Sequence, residues 1–345
     1  MGKIIVAIDS FKGCLTSAEA NRAAAEGILA HKPDAEILTI PVSDGGEGWL
    51  EAFQAAVGGH LVEVKVNDPL MRPILAQYLI HDDTSVIEIA KASGLTLLNP
   101  KERNPMKTTS YGTGQLVVDA VRRGCRHIIV GLGGSATSDC GIGMLEAIEN
   151  LKLRIENDVR FTIATDVKNP LCGEKGAAHV FAPQKGATPE MVVELDESAR
   201  QFAEESALRF GYDRQDVPGA GAAGGLGYAF LQYMNADCRS GIDLLLDAVC
   251  FEELLKDASL IITGEGSADR QTLMGKVPFG ILQKAKPFHV PVILIAGRIR
   301  DKQLLLDAGF SKTECINPPD ISIDEAMKPE VAKGNIAILM QKVVS

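Results

Sequence analysis

Short aliphatic runs rich in β-branched residues recur along the chain. Each is followed by a polar, glycine-rich cluster and then in most cases by a helical stretch. The run Lys3–Ile8 leads into a polar cluster at residues 9–13 and then into the alanine-rich segment Ser17–Ala30. Similar runs are Glu36–Val42, His127–Val130, Leu260–Thr263 and Pro291–Ala296. Continuous apolar runs are typical of strands buried on both faces, and strands that alternate with helices predict a parallel α/β sheet.

Between residues 61 and 90 the pattern changes to strands at hairpin spacing. Leu61–Asn67, Pro73–His81 and Ser85–Ala90 are short strand candidates, and Asp82 with Asp83 is a turn candidate. This part of the chain therefore predicts a mixed or antiparallel patch within an α/β protein.

The length of 345 residues suggests two domains, at about 150 residues per domain. The alternating pattern returns after Lys256, so the middle of the chain is predicted to be an insertion. We expect a Rossmann-like parallel α/β domain from residues 1–67 and 271–345. We expect the inserted α/β domain, with a mixed sheet, at residues 68–270.

The charge and the cysteines restrict the partners and the location of the chain. It has 35 Lys and Arg against 45 Asp and Glu, a formal net charge of −10. Proteins that bind nucleic acids usually carry a basic face, so we expect no nucleic-acid partner. No apolar stretch approaches the roughly 18 residues of a membrane span, so we expect no membrane partner. The seven cysteines are odd in number and form no CxxC pair, which favours reduced thiols in a cytoplasmic protein.

Carboxylates recur in the clusters that follow the predicted strands. In open parallel sheets, ligands bind beyond the carboxyl ends of the strands. Any one of these residues could instead cap the following helix or form a turn. Their recurrence at five strand ends indicates a shared ligand site. The residues are Asp9, Asp44, Asp139, Asp166 and Glu265.

Cations accompany these carboxylates at Lys12, Arg72 and Lys276. Together with the glycine loops they indicate Mg²⁺ and a transferring phosphate, because Mg²⁺ takes oxygen ligands and substrate phosphates. None of the six histidines lies in a glycine-rich cluster. A general base is therefore predicted to be a carboxylate rather than a histidine.

The segment Gly131–Thr137 follows a strand and precedes a helix, so its backbone N–H groups suit an anion. Gly131, Gly133 and Ala136 also match the dinucleotide pattern G-x-G-x-x-A. No clear acidic partner stands about 20 residues further on, so an anion-binding loop is favoured over a Rossmann nucleotide site.

Strings along nearly the whole chain resemble the bacterial glycerate kinase family, in family order from Lys3 to about Gly309. Taken together they are highly specific. The strings are Val6–Ser17, Val42–Gly48, Asp68–Pro73, Thr109–Gly114, Gly131–Met144, Ala164–Gly173, Phe181–Ala187, Pro218–Gly227, Ile262–Lys276 and Val292–Gly297.

The resemblance implies ATP-dependent phosphorylation of D-glycerate with Mg²⁺, at the 2-hydroxyl, by a two-domain α/β enzyme with its active site in the interdomain cleft. We also expect a homodimer. We expect Asp9 or Asp44 to accept the hydroxyl proton, Lys12 and Lys276 to neutralise phosphate, and Arg72 to hold the substrate carboxylate. Further substrate contacts are expected at Ser10, Gly45, Gly46, Glu47 and Ser110. ATP contacts are expected at Gly133, Gly134, Ser135, Thr137 and Asn169, and metal contacts at Asp139, Asp166 and Glu265.

Two other functions stay open at this point. One is an NAD-dependent oxidoreductase that uses the loop beginning at Gly131. The other is a catalytically silent relative that senses a hydroxyacid. The second is suggested by Ser267 and Arg270, which stand where the family usually has Arg and Gly.

Overall fold

The computed structural model describes residues 2–46, 48–153 and 158–344. Strands and helices alternate through most of this range, which confirms the predicted α/β class. The strands are β1 (Lys3–Ile8), β2 (Ile37–Thr39), β3 (His60–Asn67), β4 (Pro73–His81), β5 (Thr84–Glu88), β6 (His127–Gly131), β7 (Arg160–Ala164), β8 (Asp237–Arg239), β9 (Ala258–Ala268), β10 (Val292–Ile299) and β11 (Lys312–Cys315).

The helices vary from single turns to one of 22 residues. The α-helices are α1 (Ser17–His31), α2 (Trp49–Val57), α3 (Ala90–Ser93), α4 (Tyr111–Arg122), α5 (Ile142–Asn150), α6 (Ala177–Phe181), α7 (Pro189–Phe210), α8 (Leu226–Met234), α9 (Gly241–Ala248), α10 (Phe251–Leu255), α11 (Val277–Ala285), α12 (Lys302–Asp307), α13 (Ile323–Ala326) and α14 (Pro329–Val343). Short 3₁₀ helices occupy Leu95–Leu97, Pro100–Glu102, Pro183–Lys185, Ala222–Gly225, Arg270–Met274 and Lys286–Phe288. Within the described residues, none of the helices combines the length and apolar character needed to cross a bilayer.

The first of two compact units comprises Met1–Asp44, Glu51–Val57 and Ile242–Ser345. Its sheet has the order β11-β10-β9-β1-β2, and every strand pair is parallel. The apolar residues of β1 pack against α1 and α14. This is expected for a strand of a parallel sheet, because helices cover the faces of such a sheet.

Helices α1 and α14 lie unusually close together. Thr16 begins α1 with a capping box, because its hydroxyl accepts from the Glu19 backbone N–H and the Glu19 carboxylate accepts from the Thr16 backbone N–H. A Cβ built on Gly27 would lie 2.4 Å from the Ala337 carbonyl oxygen of α14. Only a glycine therefore fits at this contact.

Strands β9 and β10 continue beyond the predicted runs. The cluster that contains Glu265 was predicted to be a loop, and that prediction is wrong: Glu265 pairs with Ala296, and Ser267 pairs with Arg298, in a parallel ladder. A Cβ on Gly264 would lie 2.4 Å from the Ile295 carbonyl oxygen. The glycine residue thus permits close strand pairing here, where we had expected a turn.

The second unit comprises Gly45–Leu50 and Gly58–Gly241, and its sheet has the order β3-β4-β5-β6-β7-β8. The pairs β3–β4 and β4–β5 are antiparallel, and the pairs from β5 to β8 are parallel. The predicted mixed sheet is therefore confirmed. Its core joins this sheet to α4, α5 and α8, with Met144 and Phe230 fully buried.

The two units divide the chain at other residues than the expected boundaries after 67 and 270. β3 pairs along its whole length with β4 and so belongs to the second unit. β9 pairs with β1 and so belongs to the first unit. The pairing of β9 with β1 joins residues far apart in the sequence, whereas β3 is assigned by its hairpin with the next strand. The expected location of the active site in an interdomain cleft stays a prediction.

Candidate active site

A pocket of about 430 Å³ lies at the carboxyl edge of the first unit's sheet. We call it the Asp9 pocket. The carboxyl ends of parallel strands meet at one edge, so segments far apart in sequence contribute to it. Several residues predicted from the sequence line this pocket: Asp9, Ser10, Lys12, Asp44, Glu265 and Lys276.

Asp9 directly follows β1 and is buried, with 8% of its surface exposed. Its backbone N–H donates to the Gly264 carbonyl (2.9 Å), and its Oδ1 accepts from the Ser10 backbone N–H (2.7 Å). Burial raises the pKa of Asp9 to about 7, and the charges of Asp44 and Glu265 act in the same direction. The Ser10 N–H group and the Lys12 charge oppose that rise. A buried carboxyl group with such a pKa suits a general base at neutral pH.

Glu265 is a buried residue of β9 with hydrogen bonds on both carboxylate oxygens. Oε1 accepts from the Thr272 hydroxyl at 2.6 Å, and Oε2 accepts from Lys276 Nζ at 2.9 Å. Thr272 is itself held by the Asp269 backbone N–H, which donates to its hydroxyl at 3.0 Å. This network fixes the ammonium group of Lys276 at the pocket wall, where 35% of its side chain is exposed.

Lys12 and Asp44 complete the charged lining. Lys12 is exposed, in the loop between β1 and α1, and Asp44 is half-buried in the segment after β2. Both act on the Asp9 carboxyl group electrostatically, with opposite signs. The pocket therefore combines a buried base with two ammonium groups, which suits the transfer of an anionic group to a hydroxyl.

The predicted anion-binding loop lies in the second unit, after β6. Ser135 and Thr137 are buried, and their hydroxyl oxygens lie 3.1 Å apart, whereas Gly134 is exposed. The Gly133 N–H donates to the Gly45 carbonyl at 3.3 Å, and a Cβ on Gly133 would lie 2.5 Å from Gly46 Cα. The structure thus brings Gly45 and Gly46 against this loop. Glu47, predicted to bind substrate, lies outside the described residues.

Asp139 and Ser110 join the beginnings of α4 and α5. Asp139 Oδ2 accepts from the Ser110 N–H (2.7 Å), the Ser110 hydroxyl (2.8 Å) and the Gly143 N–H (3.2 Å). The Ser110 hydroxyl also accepts from the Met144 N–H at 3.0 Å. Such contacts satisfy N–H groups that the first helical turns leave without partners. They support helix capping for both residues, and the predicted metal role of Asp139 and substrate role of Ser110 stay predictions.

Arg72 is held in the turn that begins at Asp68. Its Nε donates to Asp68 Oδ2 at 2.6 Å, and its Nη1 donates to Glu102 Oε1 at 2.8 Å. The predicted contact of Arg72 with a substrate carboxylate stays a prediction.

Asn169 and Asp166 follow β7 in the second unit, and both are half-buried. Asn169 Nδ2 donates to the Lys175 carbonyl at 2.7 Å, which closes a local turn. Burial raises the pKa of the Cys238 thiol, and the charge of Asp166 raises it further. The predicted roles of Asn169 with ATP and of Asp166 with a metal stay predictions.

The three predicted metal ligands are divided between the two compact units, and their metal role stays a prediction. Asp139 and Asp166 belong to the second unit, and Glu265 belongs to the first. In residues 2–46, 48–153 and 158–344 no three His, Cys, Asp or Glu side chains cluster as a metal site. Mg²⁺ is usually held by one or two carboxylates together with substrate phosphates. Asp44 and Glu265, which line one pocket, fit that chemistry.

Lys185 is a buried residue for which the sequence predicted no role. Only 3% of its surface is exposed, and its Nζ donates to the Thr137 carbonyl at 2.5 Å. Burial lowers the pKa of Lys185 to about 8, against the opposing charge of Asp139. A buried lysine bonded to the predicted anion-binding loop supports that loop directly. The string Phe181–Ala187 in the family resemblance contained Lys185 and was the available signal.

Comparison with known proteins identifies similar sequences along the whole chain. The model of the glycerate kinase family matches residues 4–153 and 148–345. The chain is 40% identical to glycerate kinase of Halalkalibacterium halodurans, over 98% of each chain. It is 40% identical to glycerate 2-kinase of Escherichia coli K12, over 94% of this chain and 93% of that relative. The crystal structure of a protein assigned as glycerate kinase 2 from Salmonella typhimurium LT2 matches with a TM-score of 0.84 and 38% identity, over 99% of this chain and 97% of that one.

Proposed function

Because the chain belongs to the glycerate kinase family, we propose that it transfers a phosphate group from ATP to D-glycerate. The acceptor in this proposal is the 2-hydroxyl group, so the products are ADP and 2-phosphoglycerate. The observation that carries the proposal is the Asp9 pocket, where a buried carboxyl group with a raised pKa lies with Lys12 and Lys276.

Asp9 is the general base of this reaction. It is buried, whereas Asp44 is only half-buried, and burial is the main cause of its raised pKa. At neutral pH a substantial fraction of Asp9 is ionised and can accept the proton of the attacking hydroxyl group. Asp44 assists by its charge, which makes Asp9 more basic.

Lys12 and Lys276 neutralise the negative charge of the transferring phosphate. In phosphoryl transfer the protein mainly positions the reactants and stabilises charge. Glu265 orients Lys276 through the 2.9 Å ion pair, so we assign Glu265 first to positioning. The loop Gly133–Thr137, supported by Lys185, is the proposed contact for ATP phosphates.

Mg²⁺ accompanies ATP in this proposal and, when bound, offsets part of the phosphate charge. Asp44 and Glu265 are the carboxylates of the Asp9 pocket that would hold it. We also propose a cytoplasmic location, supported by the seven cysteines, all of which are free thiols. The expected homodimer would appear in light scattering as twice the chain mass of 36.8 kDa.

ADP formation with ATP, Mg²⁺ and D-glycerate tests the proposal, with L-glycerate as the control acceptor. Phosphorus NMR of the product distinguishes the 2-phosphate from the 3-phosphate. Turnover that requires D-glycerate and gives the 2-phosphate supports the proposal. Thermal stabilisation by D-glycerate without ADP formation would instead identify a silent sensor, and stabilisation by NADH alone would identify an oxidoreductase.

A further inference from the structure

The Asp9 pocket has an apolar lining that the proposed phosphate transfer does not use. These side chains come from three parts of the first unit: the loop after β1, the segment after β11, and α13 with the turn that follows it. The residues are Phe11, Cys14, Ile316, Ile323, Ala326 and Met327.

Two of these side chains are unusually exposed for their type. Ile323 is 77% exposed and Met327 is 43% exposed. A methyl carbon of Met327 lies 3.6 Å from the position that a Cβ would take on Gly13, next to Lys12 in the chain. The exposed apolar side chains therefore adjoin the loop that carries a predicted phosphate contact. Exposed apolar groups clustered in a concave site are typical of ligand binding.

The pocket is also larger than the acceptor needs. Its volume of about 430 Å³ lies in the range of roughly 300–1,000 Å³ that holds drug-sized ligands. D-Glycerate is a three-carbon acid whose polar groups gain nothing from an isoleucine or a methionine. The other reactant, a nucleotide, joins an anionic chain to a planar base with apolar faces.

We propose that the apolar lining of the Asp9 pocket binds the adenine base of the nucleotide, with Ile323 and Met327 against the ring. The inference rests on the proposed function only in taking ATP as the phosphate donor. It places the base beside Lys12, Lys276 and Arg298, the cations that line the same pocket.

Asn317 supplies a polar group suited to the edge of the base. Its Nδ2 donates to the Gly297 carbonyl at 2.8 Å, and its Oδ1 accepts from Asn335 Nδ2 at 3.1 Å. These bonds hold the amide and leave it one N–H and one lone pair. An amide with one donor and one acceptor can pair with the N–H and ring nitrogen on an adenine edge.

Calorimetric titration without glycerate tests this site, with ADP, adenosine and inorganic tripolyphosphate as the three probes. Ile323→Asn removes the apolar contact, and Ile323→Leu restores it. The matched control is Ile338→Asn, because Ile338 is also exposed (55%) and lies in α14 of the same unit. We expect Ile323→Asn to weaken ADP binding about tenfold, as loss of one apolar contact implies. Tripolyphosphate binding should stay unchanged in every variant.

The same variants separate the nucleotide from the acceptor in kinetics. Ile323→Asn should raise the KM for ATP about tenfold and leave kcat and the KM for D-glycerate within about twofold. Equal ADP affinity in Ile323→Asn and the unmodified chain would overturn the proposal. So would equal losses for ADP and tripolyphosphate, or displacement of ADP by an aromatic hydroxyacid but not by adenosine. Since the titration uses no glycerate, failure of the proposed reaction leaves this test intact.

Discussion

Asp9→Asn should make the protein more stable and less active, and the gain in stability should increase with pH. Asparagine retains the Oδ1 acceptor for the Ser10 N–H group (2.7 Å) and nearly the same volume. It removes the ionisable group that burial holds in an unfavourable environment at alkaline pH. The variant therefore separates the charge of the Asp9 side chain from its shape.

The magnitude follows from the pKa. In the folded chain the pKa of Asp9 is raised from 3.8 to about 7. Between these values the folded state binds more protons than the unfolded state, so the free energy of unfolding falls as pH rises. One pKa unit corresponds to about 1.4 kcal/mol, so the loss is about 3 kcal/mol between pH 5 and pH 8. Because asparagine does not titrate, its advantage over Asp9 should increase by that amount.

Urea unfolding at pH 5, 6, 7 and 8 measures this difference, with the exposed Asp34→Asn as the control. In the same pH series kcat/KM of the unmodified chain should fall about tenfold per pH unit below pH 7. Asp9→Asn should lose about 10²–10⁴-fold in activity. A stability difference that is the same at pH 5 and pH 8 would refute the argument that Asp9 is a desolvated base.

Three further predictions concern other parts of the chain. Lys12→Ala should lower kcat about 10²–10³-fold without unfolding the chain. Lys342→Ala, at another exposed lysine, should leave kcat unchanged. A near-normal kcat in folded Lys12→Ala would show that Lys12 is not a catalytic residue. Lys185→Ala should lower the free energy of unfolding by about 2–4 kcal/mol, because it leaves a cavity and a buried Thr137 carbonyl without its partner. Lys185→Met should lower the free energy of unfolding by less. Equal decreases for the two variants in urea unfolding would contradict this explanation. Gly27→Ala should destabilise the chain by at least about 1 kcal/mol, because the added methyl group collides with α14. Gly334→Ala has open space around it and should stabilise the chain by about 0.5–1 kcal/mol. The first variant should therefore lower the Tm and the second should raise it.

Part of the candidate site could be predicted because it depends on strand ends. Asp9 follows an apolar run, so its place at the carboxyl edge of a parallel sheet follows from the chain itself. Asp139 and Arg72 were predicted for a similar reason, because each is a charged residue beside a glycine or a turn. Their partners Ser110 and Glu102 lie 29 and 30 residues away, so local sequence could not identify these contacts, although capping or a turn was the stated alternative for such carboxylates.

Local patterns along the chain were sufficient to predict the α/β class, the positions of most strands and helices, and the family, because apolar periodicity and glycine clusters are local signals. The tertiary structure decided which strands pair and therefore where the units divide, since β9 joins β1, a partner far away in the sequence that composition cannot identify. It also decided the chemistry of individual groups. Asp9 becomes a base near neutral pH, and Lys185 supports a loop, only because folding removes both side chains from water.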